Sequence, residues 1–478
     1  MKDRLEYKWK AFSVTSLGSM MSAVDSTIVI LALLPIAADL HSDFVTVVWV
    51  VVAYLLVNTA LVLSLGRIAD VYGRKRMYNV GFVVFTVGSV LSGLAPSGPA
   101  LIGFRALQGM GAALLTANSF AILSEAFPQE ERGKAFGATA ILWGAGSTLG
   151  IVLGGVIIAY TTWRLIFLIN LPIGAFGTAW AYRALREPKS LASKESFDIP
   201  AALLFTAGLF SLLFGVTWGL LYSWSDPVTY ATVAASPLFF ALFVLWESRY
   251  SKSPIVDFSI FRNRVFSFSV ITALLQSLAL FSVNFLLIFY LEGIGGFSVL
   301  TASYLILPMA AVTAFVGPFA GSLSDKIGAR IVASAGLALQ LLVLILLSRL
   351  SVSTPLLYIA MAEAVYGFGG GLFWPANTST IMSSSPVGRY GVGSGLMNTF
   401  RNTGMVLSFA LSLVAATSVI PSQVVYQLFI GSLGHKLSPD LAAGYLSGQS
   451  FAFEVSALLL VAATVFSAVR GKVGAARY

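Results

Sequence analysis

The chain contains no cysteine and only two histidines, His41 and His435, among its 478 residues. The absence of thiols excludes disulfides, a cysteine nucleophile and thiolate metal sites, and two isolated histidines provide no imidazole cluster. We therefore expect neither a metal nor another cofactor. The sequence also lacks the Gly-x-x-x-x-Gly-Lys-Ser/Thr loop that holds nucleotide phosphates, which argues against a pump driven by ATP.

Charged residues are scarce as well, at 10% of the chain, whereas hydrophobic residues make up 57%. A soluble globular protein carries about a quarter charged residues, so water is not the main solvent of this chain. Runs such as 80–95, 338–347 and 455–469 are predominantly apolar and do not alternate in polarity as barrel strands do. The sequence therefore predicts an all-α integral membrane protein.

Apolar runs between charged breaks predict fourteen transmembrane helices, arranged as two sets of six with two helices inserted between them. The predicted spans lie near 12–38, 46–68, 77–95, 100–125, 134–159, 164–185, 199–221, 228–246, 265–290, 299–323, 330–349, 355–382, 392–419 and 450–469. The predicted domains are an N-terminal six-helix bundle at 1–186, a linker with two extra helices at 187–263 and a C-terminal six-helix bundle at 264–478. The first apolar run is too long for a signal peptide and lacks a clear cleavage pattern, so we expect it to be retained.

Lysine and arginine are concentrated in alternate loops, for example at Arg74, Lys75 and Arg76. Cytoplasmic loops carry such an excess, so the pattern predicts a multi-pass protein of the cell (inner) membrane with both termini in the cytoplasm. Insertion into the lipid bilayer already accounts for the net charge of +9. We therefore expect no nucleic-acid partner, and the sequence indicates no obligate protein partner.

A short motif occurs twice in the chain. The segment GRIADVYGRKR at 66–76 recurs in weakened form as GSLSDKIGAR at 321–330, with Gly, Asp and Gly at one spacing in both copies. Each copy ends the second predicted span of a six-span set, which predicts two equivalent halves with a substrate path between them. Glycines allow a tight turn and the charges can exchange partners, whereas the alternative is a turn that only obeys the charge rule. The candidate gating residues are Gly66, Asp70, Gly73, Arg74 and Asp325.

The first copy of this motif resembles the cytoplasmic signature loop of the major facilitator superfamily. Other stretches are similar to its fourteen-span drug:proton antiporter branch, namely Asp25-Ser26-Thr27-Ile28-Val29, Arg105-Ala106-Leu107-Gln108-Gly109-Met110-Gly111, Trp163-Arg164 with Asn170, and Asn398 with Arg401 and Gly404. The resemblance covers nearly the whole chain. It implies two pseudo-symmetric six-helix bundles, transport by alternating access, the proton gradient as energy source, and a signature loop that stabilises the outward-open state.

One departure from this resemblance concerns the fifth span. Exporters of the superfamily carry a Gly-Pro pair before a later Gly-Gly, whereas here Gly150 is followed by Ile151 before Gly154 and Gly155. That motif is associated with antiport, so its change leaves the direction of transport open. Gly146, Gly150 and Gly154 recur every fourth residue and predict close packing of two helices.

Charged residues inside the predicted spans are the candidates for proton coupling. Asp25 lies near the bilayer centre, where an acid costs roughly 2.5 to 3.5 kcal/mol, so it is our candidate proton site. Arg105 in the fourth span is its expected countercharge. The alternative is a packing acid in a fixed salt bridge.

A second proton-coupling site is expected in the other half. Glu363 follows Gln108 at the separation that relates the two copies of the repeated motif, so it is the approximate repeat mate of Arg105. Arg401 in the penultimate span is the cation expected to neutralise it. The alternative is a partly exposed acid close to the outer surface.

Aromatic and amide side chains at helical spacing are candidate substrate contacts, with core packing or lipid contact as the alternative. They are Tyr54, Asn58, Phe281, Phe285, Trp374 and Asn377. A cavity with several acids and aromatic walls would favour lipophilic cations through cation–π attraction.

The sequence thus predicts a secondary transporter, not an enzyme, that exports amphipathic and preferentially cationic small molecules in exchange for protons. A narrow-specificity metabolite exporter or a proton symporter of the same fold is the alternative. A membrane receptor or a membrane-embedded enzyme is disfavoured, because the sequence offers neither a sensing domain nor a dense catalytic constellation.

Overall fold

The computed structural model describes residues 2–187, 198–251, 254–256, 258–385, 390–419 and 439–471. Regular structure within these ranges is helical. The first half comprises α1 (Lys2–Ile28), a 3-10 turn (Val29–Ala32), α2 (Leu33–Asp39), α3 (Phe44–Tyr72), α4 (Arg74–Gly93), α5 (Gly98–Ala126), α6 (Gln129–Tyr160), α7 (Leu165–Leu168) and α8 (Asn170–Ala184).

Two helices follow as an inserted pair, α9 (Ile199–Leu221) and α10 (Pro227–Arg249). The second half begins after a 3-10 helix at Phe258–Arg262. It comprises α11 (Arg264–Leu280), α12 (Val283–Phe289), a π-helical turn (Tyr290–Ile294), α13 (Val299–Ile327), α14 (Ala329–Leu347), α15 (Leu356–Ser384), α16 (Tyr390–Val419) and α17 (Pro439–Val469).

Short polar side chains set the start of several helices. Asp43, Ser97 and Asp198 each accept a hydrogen bond from a backbone N–H in the first turn of the helix that follows. Asp226 and Ser298 do the same for α10 and α13. Such caps satisfy N–H groups that would otherwise lack a partner, and they limit each apolar run to one defined helix.

Twelve helical stretches in the described part of the chain are long and apolar enough to cross a membrane. Among them, Glu6–Asp39 and Arg264–Ile294 each join a long helix to the shorter pieces that continue it. The helices α4 and α16 lie at predicted spans but fall outside these twelve. Polar residues dilute the apolar ones of α4, whereas the side chains of α16 are described only in part. The described helices therefore give twelve to fourteen candidate spans.

The last helix differs from the prediction. It begins at Pro439, well before the predicted start at 450. Ser447, Gly448 and Gln449 lower the local hydropathy, but they do not interrupt the helix, so the hydropathy pattern misplaced its start. The predicted spans leave an outer loop at 420–449. Residues 420–438 of this loop lie outside the described residues.

The repeated motif forms the same backbone turn in both halves. Gly73 ends α3 with φ 101° and Gly328 ends α13 with φ 94°. The next helix begins at the following residue in each case. Glycine tolerates positive φ at little cost, which explains why it stands at both turns.

Close contacts between helices fix the register of the repeat. A side chain at Gly109 would collide with the backbone of Tyr54, and one at Gly367 would collide with the backbone of Met309. Tyr54 and Met309 are related by the separation of the two motif copies. Gly109 of α5 therefore corresponds to Gly367 of α15. Arg105 and Glu363, each four residues earlier, occupy equivalent positions.

The inserted helix α9 lies against both halves, since it packs on α3 and on α16. On the α3 side, Ser64 hydrogen-bonds to the Ala202 carbonyl at 3.3 Å and to the Thr206 hydroxyl at 2.9 Å. Further along the same helices, the Trp49 ring lies 5.4 Å from the Phe214 ring. The helix thus covers the line along which α3 meets α16.

Candidate functional site

A central cavity, lined by residues of both halves, lies between them. The first half contributes residues of α1, α5 and α6, and the second contributes residues of α11 to α16. At the end of the helices away from Gly73 and Gly328, α6 and α13 meet closely, because a side chain at Gly155 would collide with Ser303.

The walls of the cavity are aromatic and amide-rich. Both halves contribute aromatic rings: Phe120, Trp143, Phe281, Tyr366 and Trp374. Four side-chain amides also face it: Gln276, Asn284, Gln340 and Asn398. Among the described residues that line the cavity, Arg401 carries a charge and none is a carboxylate.

Arg401 lies on α16 at the boundary between the halves. Its guanidinium carbon is 3.9 Å from the centre of the Trp143 ring on α6 and 5.9 Å from that of Trp374 on α15. The side chain is 7% exposed and makes one long hydrogen bond, 3.4 Å, to the Asn402 amide oxygen. No carboxylate of the described chain forms an ion pair with it, so its predicted pairing with Glu363 is wrong in this structure.

Asp25 and Arg105 form an ion pair, and both are fully buried. The Arg105 Nη1 donates to Asp25 Oδ2 at 2.5 Å. The other carboxylate oxygen accepts hydrogen bonds from Gln108 at 2.7 Å and Asn170 at 3.1 Å. We name these four residues the Asp25 network. In this network, one cation and two side-chain amides hold the Asp25 carboxylate.

The Asp25 network lies inside the first half rather than in the cavity. Thr27 and Ile30 of the same segment line the cavity, whereas Asp25 points toward α5 and α8. The Arg105 guanidinium stacks on the Tyr54 ring at 4.3 Å, and its Nε donates to the Val50 carbonyl at 3.2 Å. The carboxylate is therefore separated from any ligand in the cavity by its own helix.

Gln108 and Asn170 were not among the predicted site residues. Gln108 lies three residues after Arg105, on the same face of α5, so helical spacing alone was enough to find it. Asn170 comes from α8, which is distant in sequence, and no spacing rule connects it to Asp25.

Glu363 is fully buried in α15, and neither carboxyl oxygen has a hydrogen-bond partner in the described residues. The expectation of a partly exposed acid near the outer surface is therefore wrong. One turn further along the helix, Tyr366 lines the cavity and donates to the Leu280 carbonyl at 3.1 Å. Glu363 thus lies one helical turn from a residue that lines the cavity.

Two of the six predicted substrate contacts line the cavity, namely Phe281 and Trp374. Phe285 instead packs on Phe409, with ring centres 5.1 Å apart. Tyr54 lies under Arg105, and Asn58 is buried elsewhere in the first half. Helical spacing identified the shared faces, but it did not reveal which neighbour covers each face.

Asn377 also lies away from the cavity. Its amide nitrogen donates to the Ser269 carbonyl at 3.1 Å, and its amide oxygen accepts from Arg470 Nη1 at 2.7 Å. Burial and the nearby Arg330 lower the pKa of Arg470 to about 10, so this arginine remains charged at neutral pH. Asn377 therefore anchors the end of the last helix.

The first motif copy forms a charged cluster at the turn after α3. Arg74 pairs with Asp70, with Nη2 and Oδ1 2.8 Å apart, and also with Glu125 of α5. The Glu187 carboxylate lies against Gly73. Gly66 faces Ala117 of α5 at close range. The side chain of Asp325, in the second copy, lies outside the described residues.

The three spaced glycines of α6 face α1. A side chain at Gly146 would meet Ala23, one at Gly150 would collide with the Val24 carbonyl and one at Gly154 with that of Ile28. The two backbones therefore approach each other closely along this line. Ile151 stands at the position where the resembled exporters carry proline. Its side chain lines the central cavity.

Comparisons with known proteins agree on the type of protein. The family model "Major Facilitator Superfamily" matches residues 15–409. The riboflavin transporter RibZ of Clostridioides difficile is 33% identical over 88% of this chain and 90% of its own. The multidrug resistance protein Stp of Mycobacterium tuberculosis is 32% identical over 83% of this chain and 74% of its own.

A solved structure shows the same fold. It is the crystal structure of a bacterial homologue of the human lysosomal transporter Spinster, in an inward-facing conformation. The two superpose with a TM-score of 0.62 over 97% of each chain at 17% identity.

Proposed function

The chain belongs to the major facilitator superfamily and is a membrane transporter rather than an enzyme, and we propose that it is a proton-coupled antiporter that exports amphipathic small molecules by alternating access. In this proposal the central cavity holds the substrate, and the proton gradient supplies the energy. The similarity to a multidrug resistance protein supports export.

The buried carboxyl group of Glu363, which has no hydrogen-bond partner in the described residues, is the observation that carries the proposal. An isolated carboxylate is costly to bury, so this group stays neutral while it has no partner. It can release its proton only when water or a cation reaches it. Tyr366 lines the cavity and lies one helical turn from Glu363 on α15. A ligand that enters or leaves the cavity therefore acts one turn away from this acid. Such an arrangement suits an exchange of substrate for a proton.

The Asp25 network is proposed as the partner device in the first half. A proton on Asp25 would remove the charge that holds Arg105, and this would loosen α1 from α5. The charged cluster around Arg74 and Asp70 is proposed to stabilise one of the two end states. In this way proton binding is coupled to movement of the halves.

The proposal also includes the fourteen-span topology of the drug:proton branch. In it, α4 and α16 cross the membrane together with the twelve candidate stretches. In the same proposal the protein lies in a cell (inner) membrane with both termini in the cytoplasm, and the basic residues of alternate loops support this orientation. Cysteine substitution at Asp43 and at Lys75, with a membrane-impermeant thiol reagent, tests this orientation: only the former should react in intact cells.

The test of function uses purified protein in liposomes with an imposed pH gradient. A panel of amphipathic fluorescent compounds of positive, negative and zero charge is loaded, and flux is followed with and without an uncoupler. We expect uncoupler-sensitive flux for the unmodified protein and none for Glu363→Gln. Flux that continues unchanged after the gradient is removed would contradict proton coupling.

A narrow-specificity metabolite carrier is the second candidate. The similarity to a riboflavin transporter favours it, and so do the four amides in the cavity wall, which can pair with the edge of a planar heterocycle. Growth of a riboflavin-requiring strain on limiting riboflavin, with and without this protein, separates the two. Improved growth together with no flux of the panel compounds would favour the carrier.

A further inference from the structure

We propose that the central cavity selects planar aromatic ligands that carry an anionic group, and that Arg401 pairs with that group. The inference rests on the proposed function in one respect, namely that the cavity is where the substrate binds. It assigns the charge of the substrate, which the family alone leaves open.

The first argument is the missing counterion of Arg401. A charge inside a membrane protein is normally paired, because an unpaired buried charge costs several kcal/mol. Arg401 is 7% exposed, and no carboxylate of the described chain pairs with it. Its remaining contacts are two tryptophan rings and one long hydrogen bond to an amide. An anionic ligand in the cavity would supply the partner that the described part of the chain does not.

The second argument is the excess of donors on this wall. Asn398 lies one turn before Arg401 on α16 and also lines the cavity, and its amide nitrogen has no acceptor among the described residues. The amide nitrogen of Asn402, which is beside Arg401 but outside the cavity lining, has none among them either. A guanidinium next to amide N–H groups forms a donor surface that matches a carboxylate, a phenolate or a similar oxyanion.

The third argument is the position of the aromatic rings. Trp143 from the first half and Trp374 from the second both lie beside the guanidinium. A planar ring can stack on either of them while its anionic group faces Arg401. Because the stack of Trp143 on Arg401 joins the two halves, such a ligand would also alter a contact between them.

The same features disfavour cations. The sequence predicted a preference for lipophilic cations on the assumption that acids face the cavity. Asp25 is held inside the first half, Glu363 is buried behind the wall, and no described carboxylate lines the cavity. A cationic ligand would meet aromatic faces but also the repulsion of Arg401.

The test compares two dyes that share the xanthene ring system and differ in charge: fluorescein, an anion at mildly alkaline pH, and the cation tetramethylrhodamine methyl ester. Binding to the full-length protein in nanodiscs of neutral lipid is followed by fluorescence anisotropy, and empty nanodiscs correct for partition into lipid. We expect the protein to bind fluorescein at least about tenfold more tightly than the cation.

Three variants identify the source of this preference. Arg401→Gln should weaken fluorescein about tenfold, equivalent to about 1.4 kcal/mol, and should not weaken the cation. Arg401→Lys should keep most of the preference, because it keeps the charge. Arg470→Gln removes a different buried arginine, one that pairs with Asn377 outside the cavity, and should leave both affinities unchanged.

A preference for the cation, equal affinities, or no binding of fluorescein by the unmodified protein overturns the inference. So does an equal loss for both dyes in Arg401→Gln when the variant keeps the unfolding temperature of the parent. The assay uses no pH gradient, so it is independent of proton coupling. Anion preference without proton-driven flux would remove only the antiport proposal, and proton-driven flux of the cation alone would remove only this inference.

Discussion

Arg105 in the first half and Glu363 in the second occupy equivalent positions in the repeat, yet their surroundings are opposite. Arg105 pairs with Asp25 and stacks on Tyr54, and Gln108 and Asn170 complete the hydrogen bonding of that carboxylate. Glu363 has no polar partner in the described residues. The backbone repeats, whereas the chemistry at the matched position does not.

This difference assigns two distinct roles to the two halves in the proposed proton-coupled mechanism. A carboxylate with a cation and two amide donors is stabilised in its charged form and holds two helices together. A carboxyl group without partners is stabilised in its neutral form, and its proton can be exchanged when the surroundings change. In the proposed mechanism, the first half therefore holds a charge pair and the second carries a proton.

Arg105→Gln should have the largest effect on stability among the changes that probe this comparison. It leaves the buried Asp25 carboxyl group without its cation, and removal of one partner of a buried pair costs about 3 to 5 kcal/mol. The measurement is thermal unfolding of the purified protein in detergent. The double variant Asp25→Asn with Arg105→Gln removes both charges and should regain part of the loss.

If the single variant is no less stable than the double variant, the pair does not hold the first half together. The contrast between the two halves would then have no energetic basis, even though the geometry differs.

The turn glycines give the next largest effect. Replacement of Gly73 or Gly328 by alanine forces a side chain into positive φ, at a cost of about 1 to 2 kcal/mol. At Gly73 the added carbon also meets the Glu187 carboxylate, whereas the space at Gly328 is open in the described structure. Gly73→Ala should therefore be the more damaging of the two, as measured by unfolding temperature.

The variant Glu187→Ala provides the control for this pair. In its background, the difference between Gly73→Ala and Gly328→Ala should shrink. A difference that persists would mean that the contact with Glu187 is not its cause.

Glu363→Gln should have the smallest effect on stability, below about 1 kcal/mol, because an amide of the same shape replaces a group that is already neutral. Its effect should fall on coupling instead, since the amide cannot exchange a proton. Substrate-induced proton movement in liposomes, read with a pH-sensitive dye, should disappear while ligand binding remains. Glu454→Gln, on α17 near the same end of the bundle, is the matched control and should retain proton movement.

Sequence patterns predicted the features that depend on one segment or on the repeat. Hydropathy identified the helices, the spacing of two motifs identified the matched turns at Gly73 and Gly328, and two charges within apolar runs identified the pair of Asp25 and Arg105. Charges inside a membrane need a partner of opposite sign, and the predicted spans contain few charged residues from which to choose it.

The features that depend on how distant helices meet were not predictable in this way. Tyr54 and Asn377 lie on polar or aromatic helix faces as expected, but Arg105 and Arg470 cover them, so neither reaches the cavity. Arg401 was matched with Glu363 because both are charged and intramembrane, and the structure places it on Trp143 instead. Helical periodicity assigns a residue to a face and leaves its neighbour undetermined.

The position of α9 bears on the route by which a compound can travel. Because this helix packs on both α3 and α16, it covers one of the lines along which the two halves meet. Acyl chains and bilayer-dissolved compounds therefore find no lateral opening there. Sideways exchange between the cavity and the surrounding lipid is therefore restricted along the α3–α16 line by α9.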